Sequence, residues 1–250
     1  MKKALATFRI IAVAGIAHAD TYSQNFDSIG SGLPTGWFVS ADASAINVGT
    51  PGATYESTAT SWGTTTGNFR NAASATGLMS SDTAPTQAAS TNRALGLRQG
   101  SSFGDPGAAF GFNFSTSGVT VSSISIDLMM LSVQTHSTTF SIQYGVGSNP
   151  TTFTTLGTYP DPNTFGTTTS TFTTTNFGSD LNNQSSIYFR IAALAASSGT
   201  GSRDTVGIDN FNLTSSGPIT PLAVVPEPAT WMLMGVGLLL GVQRLRRKQS

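Results

Sequence analysis

Between Ser122 and Thr214, apolar and polar residues alternate with a period of two in segment after segment. This spacing is the strongest constraint on the fold, because a strand turns successive side chains to opposite faces whereas a helix repeats every 3.6 residues. SSISIDLMML (Ser122–Leu131) places Ile124, Ile126 and Leu128 on one face. TTFSIQYGV (Thr138–Val146) alternates Phe140, Ile142, Tyr144 and Val146 with Ser141, Gln143 and Gly145. The intervening SVQTHS reads as a connection, so the pair predicts a hairpin. Thr152–Tyr159, Thr169–Phe177, Ser186–Leu194 and Val206–Thr214 continue the series, separated by links such as GSNP, PDPNTFG and SSGTGSR that carry turn residues. Upstream, GWFV, ALGLRQ and AAFGFNF are further candidate strands, while Ala41–Ala89 is Ser/Thr/Ala-rich and resists assignment. No segment of the body has a helical period. The expectation is an all-β, antiparallel two-sheet β-sandwich of more than ten short strands, jelly-roll-like in type.

The two ends have a different character. MKKALATFRIIAVAGIAHAD carries Lys2 and Lys3, an apolar run interrupted by Arg9, and Ala17-His18-Ala19 in the small-x-small pattern of a secretory cleavage site. Residues 1–19 are therefore expected to be a signal peptide, with Ala17 and Ala19 at the cleavage site. At the other end, 16 uncharged residues separate Glu227 from Arg244. A helix over about 229–243 spans roughly 21–24 Å, short of the ~30 Å hydrocarbon core. It is apolar on every side, Trp231 lies at one end, and Arg244, Arg246, Arg247 and Lys248 follow at the other. These flanks predict one C-terminal transmembrane helix with a cytoplasmic basic stop-transfer tail. The expected organisation is thus signal peptide 1–19, ectodomain 20–214, Pro/Ser linker 215–225 and membrane-directed segment 226–250.

Val225-Pro226-Glu227-Pro228-Ala229, the apolar span to Val242 and the terminal basic cluster occur in that order after a signal peptide. This arrangement resembles the PEP-CTERM sorting signal of Gram-negative bacteria. The resemblance implies an exosortase in the inner membrane as processing partner, with Pro226, Glu227 and Pro228 as the sorting motif. It also implies transient anchoring in the inner membrane, cleavage near the triplet and passage to the surface or matrix. The order of FDSIGSGLPTGW, NRALGLRQ and YFRIAAL…NLT is similar to secreted jelly-roll domains of the lectin-like or laminin-G-like kind. Those folds host many functions, so this second resemblance implies a fold and no activity.

Composition then excludes several classes. Asp20–Pro221 holds five of the twelve basic residues and eleven of the twelve acidic ones, so the body is near −6 although the whole chain balances to zero. It has no Lys, which argues against nucleic acid as a partner. The absence of cysteine excludes disulfides, thiolate chemistry and Cys-based zinc sites.

Candidate sites are few. His136 is the single histidine outside the signal region and reads as a solvated loop residue, without the partners of a metal site or a triad. Carboxylates are scattered rather than paired, so no catalytic residue is assigned and the chain is read as a non-enzyme. Asp209, with Asn210, is the candidate ligand for Ca²⁺, a hard cation that suits an acidic exported protein; alternatively Asp209 pairs with Arg190 or Arg203, or satisfies backbone amides, and locks the sandwich. Arg93 and Arg98 lie five apart, on opposite faces of a regular strand, one buried against an acid such as Asp27 or Asp209 and the other facing solvent. Trp37 reads as core. Trp62, in a Thr/Gly loop, is the candidate for stacking on a sugar. The resulting expectation is an exported, non-catalytic surface or matrix protein, processed and then released or attached to exopolysaccharide, with a carbohydrate-binding module, aromatic or calcium-assisted, as the alternative and a polysaccharide-acting enzyme as the third reading.

Overall fold

The computed structural model describes residues 19–223. Ala17, the sorting triplet, the helix expected over 229–243 and the basic tail lie outside the described residues. Among the described residues, no helix is long and apolar enough to cross a membrane.

The strands are, in chain order, β1 (Asp20–Gln24), β2 (Trp37–Ser40), β3 (Tyr55–Ala59), β4 (Asn68–Ala73), β5 (Arg93–Arg98), β6 (Ala109–Ser115), β7 (Val121–Ser132), β8 (His136–Ser137), β9 (Phe140–Val146), β10 (Thr154–Tyr159), β11 (Gly166–Thr173), β12 (Ile187–Ala192), β13 (Ser198–Gly199), β14 (Thr205–Ser215) and β15 (Thr220–Pro221). Two short α-helices, α1 (Ala84–Ala89) and α2 (Thr174–Phe177), and one 3-10 turn (Ile29–Ser31) interrupt them. A seven-stranded sheet runs β11-β7-β14-β5-β4-β3, with β1 also paired to β14. A six-stranded sheet runs β10-β9-β12-β6-β15, with β2 also paired to β6. β8 and β13 form a separate small ribbon. The all-β sandwich expectation holds. One pairing departs from it, since β3 runs parallel to β4.

The period-two patterns become the core. Phe110, Phe112 and Phe114 of β6 and Ile187, Phe189 and Ile191 of β12 meet Leu95 and Leu97 of β5 and Ile124, Ile126, Leu128 and Met130 of β7. Trp37 stacks on Phe112 at 4.8 Å and meets Phe211 edge-on at 5.2 Å, as its core assignment requires. In β14 the inward set runs Val206, Ile208, then Phe211 and Leu213, a change of parity. A bulge between Asp209 and Asn212, with Asn210 at φ 47°, supplies the extra residue that makes the change possible.

Three local expectations are corrected. Ser122–Leu131 and Thr138–Val146 are not hairpin partners: β7 pairs with β11 and β14, whereas β9 pairs with β10 and β12 in the other sheet. Alternation specifies a strand and its buried face but carries no information on the neighbour. The strand expected over Thr169–Phe177 stops at Thr173, where the Thr173 and Asn176 side chains form a capping box and the chain turns into α2. The linker expected over 215–225 includes β15, which pairs with Ser115 and Phe114 of β6.

Both outer faces are covered by long loops, and buried arginines fasten them. On the six-stranded sheet, the Arg190 guanidinium donates to Gln143 Oε1 and to the carbonyls of Asn47 (2.6 Å) and Ser44 (2.9 Å), and it lies 3.3 Å from the Phe153 ring centroid. On the seven-stranded sheet, Arg70 donates to the carbonyls of Thr64 and Thr66 and to Asn68 Oδ1. Burial lowers the Arg70 and Arg190 pKa values to about 10, so both remain cationic at neutral pH.

Candidate functional site

The segment that resisted assignment, Ala41–Ala89, builds the most elaborate surface feature. On the outer face of the seven-stranded sheet, Ala94 of β5 and Ala72 of β4 present only methyl groups and Gly96 of β5 no side chain at all. The chain after β3 lays Trp62 into the resulting hollow, against Ala72, Ala73, Ala94, Met129 and Leu131. The indole Nε1 donates to the Ala73 carbonyl at 2.8 Å, and the Trp62 N–H donates to Gln87 Oε1 of α1 at 2.8 Å. The Trp62 carbonyl accepts from Thr205 Oγ1 at 2.8 Å and from Arg98. Phe165, from the loop before β11, covers the indole with ring centroids 4.9 Å apart. Trp62 is only 2% exposed. It is therefore not an open stacking platform: its Thr/Gly surroundings read as a solvated loop, but the small residues beneath created a socket for it.

Phe165 instead forms one wall of a cleft of about 510 Å³ with Trp62 at its base. The rim carries Asp82, Gln134, Asn163 and Ser132, and Val133 leaves 37% of its surface exposed beside them. Sequence reasoning missed all of these except Trp62. They come from three stretches far apart in the chain, and only the PDPN turn gave a local signal.

A second polar cluster closes one end of the sandwich. Asp105 accepts from the Arg203 guanidinium at 2.6 Å, from Ser197 Oγ at 2.5 Å and from the Ser197 N–H at 2.6 Å. Burial by itself raises the Asp105 pKa, but these Ser197 and Arg203 bonds outweigh it and hold the carboxyl below the usual range. Ser197 Oγ also lies 2.8 Å from His136 Nε2. His136 thus sits on a strand of the β8–β13 ribbon, partly buried, rather than in a solvated turn. The constellation contains Ser, His and Asp, but the serine has one proton and gives it to Asp105. The imidazole Nε2 then faces the hydroxyl as a donor, the reverse of a general base. Next to it, Asp204 is buried, with Oδ1 accepting the Gln134 N–H at 2.6 Å and Oδ2 unpartnered. Burial pushes its pKa up to about 6.

Asp209 is fully buried, and neither expected arginine reaches it: Arg190 is held by Gln143 and loop carbonyls, and Arg203 by Asp105. Its Oδ1 accepts the Asn210 N–H at 2.8 Å and its Oδ2 has no partner. Burial, with repulsion from Asp27 and Asp127 added, raises its pKa to about 7. Asp127 is its cross-strand neighbour, so two carboxyls would face each other if both were ionised. The Asn210 side-chain amide donates to Asp127 Oδ2 at 2.9 Å. The two residues of the expected calcium site are thus engaged in separate hydrogen bonds, Asp209 with the Asn210 backbone and the Asn210 amide with Asp127. Among the described residues, no group of three or more His, Cys, Asp or Glu side chains is placed to hold a metal ion. Arg93 and Arg98 are also corrected: both are buried, because β5 is an interior strand with both faces covered. The Arg93 guanidinium binds Asn71 and the carbonyls of Gln87 and Ser90, while only its backbone N–H reaches Asp27.

The sandwich ends at β15, and the chain continues directly into the segment singled out in the sequence. Residues 224–248 match the PEP-CTERM protein-sorting motif. The motif implies export across the inner membrane, a transient anchor there and processing by an exosortase. Comparison with curated proteins found no match. Among solved structures, the K1 cleaved adhesin domain of Lys-gingipain from Porphyromonas gingivalis W83 is similar at 11% identity and a TM-score of 0.43, over 78% of this chain and 97% of that one. The carbohydrate-binding module TmCBM27, whose structure describes specific mannan recognition, is similar at 10% identity and 0.40, over 79% and 98%. A Stig cyclase, Fisc, from Fischerella sp. TAU is similar at 16% identity and 0.40, over 81% and 100%.

Proposed function

We propose that this chain is a non-catalytic protein of the cell surface or extracellular matrix. It is delivered through its PEP-CTERM tail, held briefly in the inner membrane and released by an exosortase, with exopolysaccharide as its neighbour outside the cell. The observation that carries the proposal is the sorting motif at 224–248, placed immediately after a β-sandwich whose last described strand is β15. The side chains best suited to chemistry are committed to structure, which supports a non-catalytic role. The Ser197 hydroxyl is bound to Asp105, and Asp204 and Asp209 are buried. Four of the body's five arginines are buried in networks of carbonyls and amides, so its surface is poor in cations and unsuited to nucleic acid.

Mass spectrometry of the C-terminal peptide tests the proposal. Cells with an exosortase should release a product lacking Trp231–Ser250, and cells without it should retain the full tail in the inner membrane. An intact Gln249-Ser250 terminus on the released protein refutes the reading.

A further inference from the structure

We propose that the cleft walled by Phe165 binds a neutral oligosaccharide. The inference goes beyond the reading above and depends only on the body, not on the processing of the tail. Its volume of about 510 Å³ lies within the range of small-molecule sites, roughly 300–1,000 Å³. The lining combines the two surfaces a sugar ring presents. Phe165 and the exposed Val133 offer apolar area to the C–H face of a ring. Gln134, Asn163 and Ser132 offer amides and a hydroxyl, groups that both donate and accept and so suit a polyol.

Charge narrows the class. The lining contains one carboxylate, Asp82, and no Lys, Arg or His. A uronate, sulfate or phosphate would meet repulsion and no counter-charge, whereas a neutral hexose polymer would not.

The polar groups are also held in place before any ligand arrives. Asn163 stands at φ 53°, and its N–H donates to Asp161 Oδ1 at 2.7 Å, so its backbone is fixed in a turn while the exposed residue lines the cleft. Gln134 is anchored through its N–H to Asp204 Oδ1 at 2.6 Å, while its amide donates to Ser132 Oγ at 3.0 Å and keeps its own oxygen to offer. Trp62 acts beneath them as a positioning residue that seats Phe165. Such pre-ordering lowers the entropic cost of binding.

Calorimetric titration of the full chain in detergent tests this with cellotetraose, maltotetraose, mannotetraose and tetragalacturonate. At least one neutral tetraose should bind, tetragalacturonate should not, and EDTA should change neither result. Asn163→Gly keeps a backbone free to adopt positive φ and removes only the amide. Together with Gln134→Ala, it should weaken binding by at least about tenfold, equivalent to 1.4 kcal/mol, at an unchanged melting temperature. Absence of binding to every neutral tetraose, full affinity in both variants, or preference for tetragalacturonate overturns the proposal. Failure of tail processing with binding intact would count only against the sorting reading.

Discussion

At the scale of single residues, the two buried carboxyls govern how stability depends on pH. Asp204 and Asp209 have folded-state pKa values near 6 and 7, above the ordinary value of 3.8 that the unfolded chain retains. Below about pH 4 both states hold the protons, and the folded state carries no electrostatic penalty. As pH rises further, the unfolded chain releases protons that the folded protein keeps, and stability is lost until pH passes the folded values. For Asp209 the loss is on the order of 3–4 kcal/mol between pH 4 and pH 8. Denaturant midpoints should therefore fall across that window, and Asp209→Asn should flatten the curve and raise the midpoint at pH 8. Added Ca²⁺ should leave the melting temperature unchanged at either pH; a rise abolished by Asp209→Asn would instead make Asp209 a ligand. A second residue-scale prediction concerns Gly111. A Cβ there would sit 2.0 Å from Phe38 Cζ, which lies flat across the strand. Gly111→Ala should cost about 1–3 kcal/mol by overpacking, read as a shifted urea midpoint, and Phe38→Ala in the same chain should recover part of it.

At the scale of elements, arginines replace disulfides as fasteners of loops in a chain without cysteine. Arg190 reaches two carbonyls of the loop after β2, and its neighbours cannot find replacement donors once the guanidinium is gone. Arg190→Lys supplies a single ammonium in place of a planar fork. It should destabilise by about 2 kcal/mol or more and open the loop between Ser40 and Gly52 to limited proteolysis, at a site protected in the parent protein. The edge of β11, unpaired among the described residues, is the complementary case. Gly166–Thr173 pairs with β7 on one side only, and its exposed residues are mainly threonines without charge or proline. A Thr169→Lys change would add the kind of charge that ordinarily protects such an edge, although it also removes the hydroxyl that binds Asp127.

At the scale of the molecule, the first described strand and the last long one meet inside the seven-stranded sheet. β14 pairs with β7, β5 and β1, and the Ser23–Asn212 hydrogen bond closes a separation of 189 residues. The seven-stranded sheet therefore cannot be completed before residue 215 is available. Truncation before Thr205 should abolish the β-sheet circular-dichroism signal. Removal of residues 229–250 should leave the melting temperature within about 2 °C, a shift below 1 kcal/mol, because the core of the described residues is assembled without them.

Much of this architecture was legible in the sequence by itself. Period-two alternation identified most strands and their buried faces, since those depend only on neighbours along the chain, as in β6, β7, β9 and β12. The C-terminal triplet, apolar span and basic cluster were equally local, and so was the sorting motif they compose. Tertiary structure alone decided which sheet each strand joined, separating β7 from β9 although they are consecutive long strands. It also decided that Trp62 is buried, that Arg93 and Arg98 both lie inside, and that Asp209 meets Asp127 instead of an arginine. Each of these outcomes depends on what covers a face, and the cover comes from residues tens of positions away. The cleft has the same origin: small residues on β4 and β5 make room for Trp62, Trp62 seats Phe165, and a binding surface arises from segments that share no pattern in the sequence.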